Sequence, residues 1–239
     1  DLPDVEFSQA GKKEDLDIAP SRIKVLHYWF SKSMLPFFHD RKKTDAILDI
    51  GCGQGLFLQF LKSAGFTNLS GIDVSREQIE LARKRGLPVE EKDARAFFAN
   101  TDNLYSVITA LDVIEHIPRD ELLTLFEKIF EHLLPGGRLI VQTPNATGLF
   151  SNQVIFDDLT HHSILTPASF RQLAESAGFT DISCMESTSS FRGWKGFCRK
   201  LLWRSVVFAA RMARIAETGK KQTIWTENMV CVCRKPAAR

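Results

Sequence analysis

Three groups of residues in this chain have types and spacings that could do chemistry. The first is Asp49-Ile50-Gly51-Cys52-Gly53-Gln54-Gly55, which closes the short apolar run 46–50 and is followed by Asp73. Glycines after a buried strand let the backbone approach a ligand closely and adopt conformations a side chain would forbid. An acidic residue about 20 positions further on can accept both ribose hydroxyls of a nucleoside. The second group is Asp112-Val113-Ile114-Glu115-His116, and the third is Asp157-Asp158-Leu159-Thr160-His161-His162. Carboxylates beside histidines suit proton abstraction near neutral pH, the carboxylate orienting the imidazole.

Charge narrows the ligand of the glycine turn. A dinucleotide site has the form G-x-G-x-x-G, with a pyrophosphate on a helix N-terminus. Here the glycines are at 51, 53 and 55, and Leu56 stands at the third dinucleotide position. Asp49 would repel a pyrophosphate and suit a cation. S-adenosylmethionine carries a sulfonium and an ammonium group and no phosphate, so it is the expected cofactor.

With these residues in place, the stretch 46–235 resembles the class I S-adenosylmethionine-dependent methyltransferases. The resemblance implies that Asp49, Gly51, Cys52 and Gly53 hold the methionine part, and that Asp73 and Val74 hold the ribose. It sets Asp93 and Ala94 beside the adenine and Leu111 and Asp112 along the cofactor. Leu134-Pro135-Gly136-Gly137-Arg138-Leu139 matches the family's turn before strand five.

Methyl transfer requires an aligned acceptor and, for a hydroxyl, a base. His161, His116 and Asp158 are the candidates. The 112–116 segment is similar to the D/E-x-x-E-H stretch of the ubiquinone-biosynthesis methyltransferases, where these side chains are associated with a divalent cation. No metal is the expectation, and Asp112, Glu115 and His116 are the alternative. The run from Thr160 to Pro167, with its following helix, resembles methyltransferases of bacterial surface-polysaccharide and sugar-modifying pathways. A hydroxyl of a sugar or glycoconjugate is therefore the expected acceptor, and a quinone or phenol hydroxyl is the alternative. A non-catalytic cofactor-binding scaffold and an NAD-dependent oxidoreductase are the competing classes.

The elements that must position these groups alternate. Apolar runs at 46–50, 69–73, 89–91, 106–111, 138–143, 182–185 and 229–234 read as strands. Helical spacings cover 56–64, 75–85, 119–133 and 166–177. Ser75 and Thr166 are suitable N-caps, and Pro135-Gly136-Gly137 is read as a turn between helix and strand. The α/β pattern predicts a doubly wound, seven-stranded, mostly parallel sheet with a helical insertion before the last strand. Residues 1–43 form an N-terminal helical segment, polar and partly ordered up to residue 18, and 44–239 form the methyltransferase domain.

The insertion, 187–223, is longer than an ordinary connection. Within it, 195–216 fits a helix with Lys200, Arg204, Arg211 and Arg214 on one stripe. A lid, a homodimer element and a peripheral membrane contact are the readings open to it.

Composition is that of a globular domain: 239 residues, 44% hydrophobic, 25% charged, net charge +2. That charge predicts no nucleic-acid partner. An odd number of cysteines without metal spacing predicts a reducing, cytoplasmic location. No apolar run reaches the roughly 20 residues that span a bilayer.

Overall fold

A computed structural model describes residues 19–187 and 193–237. The polar segment 1–18 lies outside the described residues. The described residues open on helix α1 (Pro20–Trp29), which widens into a π-turn and then tightens into a 3-10 turn ending at Phe38. Then follow β1 (Ile47–Ile50), α2 (Leu56–Ser63), β2 (Leu69–Asp73), α3 (Arg76–Lys84), β3 (Val89–Glu91) and α4 (Ala94–Ala99). The second half comprises β4 (Tyr105–Leu111), α5 (Leu122–Glu131), β5 (Leu133–Pro144), α6 (Ser151–Phe156) and α7 (Pro167–Ser176), then β6 (Thr180–Glu186), α8 (Gly193–Thr218) and β7 (Asn228–Arg234).

The seven strands lie in the order β3-β2-β1-β4-β5-β7-β6. All pairings are parallel except those of β7, which runs antiparallel between β5 and β6. Fold class and strand count are therefore as expected. The chain order reverses between β1 and β4, and ligands bind at such a switch point, at the carboxyl ends of the strands.

Two apolar clusters cover the two sheet faces. On one, Phe97, Phe98, Phe126, Ile129 and Phe170 bring α4, α5 and α7 onto the strands. On the other, Phe30, Met34 and Phe38 of the N-terminal helical segment pack with Phe57, Phe60 and Phe66 around α2. That segment is clasped a second time: the buried Arg138 guanidinium donates to the Phe37 carbonyl and, at 2.5 Å, to Asp40.

Several local expectations change. Pro135-Gly136-Gly137 is not a turn ahead of β5 but a bulge within it: Tyr105 pairs with Leu133, whereas Val107 pairs with Arg138. The extra residues between these pairs are absorbed with Gly136 at φ +74°. Helix α5 starts at Leu122 rather than 119, and the six-residue helices α4 and α6 are additional. The caps are as read: Ser75 Oγ accepts from the Gln78 N–H at 3.4 Å, and Thr166 and Ser169 cap α7 reciprocally.

Candidate functional site

The strand ends at the switch point open into a cavity of about 860 Å³. Its floor is the glycine turn after β1. Gly51, Gly53 and Gly55 all have positive φ. At Gly51 a side chain is excluded twice, by φ +65° and because a Cβ would lie 2.2 Å from Val113 Cγ2. Gly51→Ala is expected to lower stability by at least the ~1–2 kcal/mol of a left-handed alanine, with the overlap in addition. Thermal unfolding measures this, and an unshifted melting temperature would refute the geometry.

Asp49 lines the cavity but is only 3% exposed. Its one described hydrogen bond comes from the Thr109 hydroxyl on β4, at 2.6 Å. Burial raises its pKa from 3.8 to about 7, with the Asp73 charge adding and the Thr109 bond opposing. A carboxylate held at this point is ready for a cationic ligand, as the charge reading expects. Cys52 also lines the cavity, with its thiol pushed upward by burial and by Asp49, and so unreactive.

Asp73 ends β2 and accepts the Gly53 N–H at 2.8 Å on one oxygen and the Ser75 N–H at 2.8 Å on the other. It thus ties the glycine turn to the start of α3, and each oxygen keeps a lone pair for another donor. Of the residues that the family resemblance assigns to the cofactor, Asp49, Gly51, Cys52, Gly53, Leu111 and Asp112 line the cavity. Asp73, Val74, Asp93 and Ala94 do not. Val74 points to solvent and Ala94 is in the core. Asp93 caps α4, accepting from the Arg95 N–H at 2.9 Å and pairing with the Arg95 guanidinium.

After β4, Asp112 adopts φ +56°, a left-handed conformation uncommon for a non-glycine residue and frequent at functional sites. The Gln142 amide, from β5, donates to both its carboxylate oxygens at 3.0 and 2.9 Å. The side chain opens to the cavity, yet protein surrounds it closely enough that burial raises its pKa, against Gln142, His116 and His161.

Behind Asp112 the second and third sequence groups meet. The His116 and His161 rings are 4.9 Å apart. His161 Nδ1 lies 3.1 Å from the Ile155 carbonyl, so it donates there and leaves Nε2 with its lone pair. Thr160 Oγ1 donates to Asp158 at 2.7 Å, so at 2.8 Å it accepts from His116 Nδ1, again leaving Nε2 bare. Asp158 therefore orients His116 through Thr160, rather than orienting the adjacent His161. The same Thr160 contacts hold the Asp158 carboxyl below the usual range. Burial, followed by the charge of His161, lowers the His116 pKa, so its imidazole is neutral at pH 7. Neither histidine lines the cavity. Asp112 is the wall residue that feels both.

Glu115 is buried, accepts from the Thr143 hydroxyl at 3.1 Å, and braces the third group through its carbonyl, which accepts the His162 and Ser163 N–H bonds. Burial, then Asp112, raises its pKa from 4.5 to about 8. Its pKa is raised on folding, so the stability it contributes is present at low pH and is lost as pH rises from about 4.5 through about 8. Glu115→Gln is expected to flatten that loss in melting curves taken between pH 5 and 8.5. An unchanged slope would refute it.

Glu115, His116 and His161 place ligand atoms within 4.8 Å of one another. No metal was the expectation, and the alternative trio was Asp112, Glu115 and His116. His161 takes the place of Asp112, whose carboxylate is held by Gln142.

Sequence reasoning missed the roles of Thr109, Gln142 and Thr160, and for the cavity roof it offered only a lid as one reading of 187–223. That roof is Phe150 before α6, together with Arg199, Leu202, Trp203 and Val206 on α8. The Phe150 and Trp203 rings lie 6.5 Å apart across it. Only Thr160 had a local signal, the Asp158-x-Thr160 spacing of an Asx turn.

Strand order, glycine turn and acidic strand ends together define a class I S-adenosylmethionine-dependent methyltransferase. The chain belongs to the methyltransferase-domain family, whose profile matches residues 24–184. It is 35% identical over 105 residues to the ubiquinone biosynthesis O-methyltransferase of Rickettsia prowazekii (strain Madrid E), an alignment covering 42% of this chain and 40% of that protein. The chain thus spans about two fifths of the length of that relative. Among solved structures, an S-adenosylmethionine-dependent methyltransferase from Archaeoglobus fulgidus superposes with a TM-score of 0.67 at 18% identity, covering 89% of this chain and 94% of that one. Phosphoethanolamine N-methyltransferase 2 of Haemonchus contortus, in complex with S-adenosylmethionine, superposes at 0.59 and 16% identity, covering 90% and 57%. At these identities the superpositions report the fold.

Proposed function

We propose that the chain transfers a methyl group from S-adenosylmethionine to a hydroxyl of an aromatic, quinol- or phenol-type acceptor. The observation that carries this reading is the apolar, aromatic part of the cavity wall, built by Leu26, Trp29, Phe57, Phe150, Leu202 and Trp203. Such a wall suits a ring and gives little to a polyhydroxyl. The naming of the curated relatives points the same way. The sugar or glycoconjugate hydroxyl expected from the third sequence group is the weaker reading, resting on the polar wall of Gln142, Ser187, Glu227 and Asn228.

When bound, S-adenosylmethionine supplies a methyl group on a positively charged sulfur that leaves as a neutral thioether. Asp49 offers the charge for its cationic part, and Asp73 the free lone pairs for ribose hydroxyls. The apolar wall excludes water and aligns the acceptor. Neither histidine lines the cavity, so the acceptor proton reaches His161, its Nε2 lone pair fixed by the Ile155 carbonyl, by way of Asp112 on the wall, and His116 with Asp158 supports it. A reducing, cytoplasmic setting belongs to the same reading, with all five cysteines free.

The test is methyl transfer from labelled S-adenosylmethionine to a catechol, a quinol and a panel of free and nucleotide-linked sugars. Transfer to the aromatic hydroxyls is expected. Transfer to sugars alone would reverse the assignment.

A further inference from the structure

Helix α8 has one face on the protein and the other on nothing described. Trp203, Val207, Ala210 and Arg214, at helical spacing, are half-buried, and Gly196 is the only buried residue of the helix. At 3.6 residues per turn, Trp194, Phe197, Leu201, Phe208 and Met212 share the opposite face. Each is more than half exposed. Lys200, Arg204 and Arg211 run along one edge of this apolar face. The one acidic residue of the helix is Glu217.

We propose that α8 docks the protein on an anionic lipid bilayer, lying in the plane of the interface with its outer face among the acyl chains and its basic edge at the headgroups. This inference rests on the cavity being the acceptor site. Leu202, Trp203 and Val206 line it from the same helix, so docking brings its mouth to the surface in which an apolar ring compound would dissolve.

The occupant follows from charge. An exposed apolar stripe with a basic border matches an anionic interface, where acyl chains take the stripe and phosphates take the border. A second copy of the chain packed antiparallel on this face would bring basic edge against basic edge. No helix among the described residues is long and apolar enough to cross a membrane, and α8 in particular carries its charges throughout its length, so it lies on the surface.

The test is co-sedimentation of the full chain with vesicles of phosphatidylcholine containing about a third phosphatidylglycerol, and with pure phosphatidylcholine. Binding to the anionic vesicles is expected, weakening with salt. The triple variant Lys200→Gln, Arg204→Gln, Arg211→Gln should lose about 100-fold in partition coefficient, at roughly a few-fold per removed charge. Phe197→Ser with Phe208→Ser should also abolish binding while the melting temperature and transfer to a water-soluble acceptor are retained.

Absence of binding at low salt would overturn the proposal, as would equal binding to neutral vesicles. A dimer in sedimentation equilibrium that Phe208→Ser dissociates, without vesicle binding, would overturn it and give the face to a second copy. Failure of vesicle binding with methyl transfer intact refutes docking alone. Retained, variant-sensitive vesicle binding without transfer to any acceptor upholds docking and refutes the aromatic-acceptor reading.

Discussion

Asp49→Asn is expected to weaken S-adenosylmethionine binding roughly 10- to 100-fold, the size of a lost charged hydrogen bond in a buried site. The larger effect is on pH dependence. In the ligand-free protein the Asp49 carboxyl titrates near 7. A cationic ligand favours its ionised form, so binding below that pH must release a proton. Affinity should therefore climb as pH rises towards about 7 and level off above it. Titration calorimetry at pH 6.5, in buffers of different ionisation enthalpy, reads the released proton directly. Wild type should release a fraction of a proton that Asp49→Asn does not. Equal release in both would remove Asp49 from the ligand's charge environment.

The same shift has a consequence for folding. The pKa of Asp49 is raised from 3.8 in the unfolded chain, so its contribution makes the ligand-free protein more stable below about pH 4 and less so as pH rises to about 7. Bound ligand should cancel this loss, so stabilisation by S-adenosylmethionine should be larger at pH 8 than at pH 6.

His161→Ala is expected to reduce kcat by about 10²–10⁴, the usual contribution of a positioned base, with cofactor affinity unchanged. Full activity in the variant would move the proton to His116 or to a mechanism of alignment alone. Thr160→Val separates the two histidines. It breaks the Asp158–Thr160–His116 chain but not the His161–Ile155 bond, so it should lower kcat by about tenfold or less if His161 is the base. A loss as large as that of His161→Ala would make His116 the primary base.

Much of the architecture was legible because parallel strands buried on both faces read as continuous apolar runs. Ile47–Ile50 and Leu69–Asp73 were visible this way, each ended by glycine or by an acidic residue. The start of β5 was not, because Pro-Gly-Gly is turn chemistry, and only pairing with Tyr105 on a neighbouring strand keeps it in the sheet. Helices α4 and α6 are too short for a periodic signal. In the site, Asp49 and Asp73 were legible from their places at strand ends. Their partners were less so. Thr109 reaches Asp49 from 60 residues away, and Gln142 reaches Asp112 from 30. Neither polar side chain differs in sequence from an ordinary strand residue, since register alone aims it. Sequence order also hid that His116 and His161 face one another.

The position of β7 sets an order on chain assembly. It is the last of these seven strands in chain order, yet it lies inside the sheet, between β5 and β6. While the ribosome is still adding α8, β6 has no neighbour to join and the outer edge of β5 stands open. Only when residues 228–234 emerge can both edges close in a single event. A nascent chain stalled before that point exposes an aggregation-prone apolar edge, so slow translation through 193–227 should lower yield.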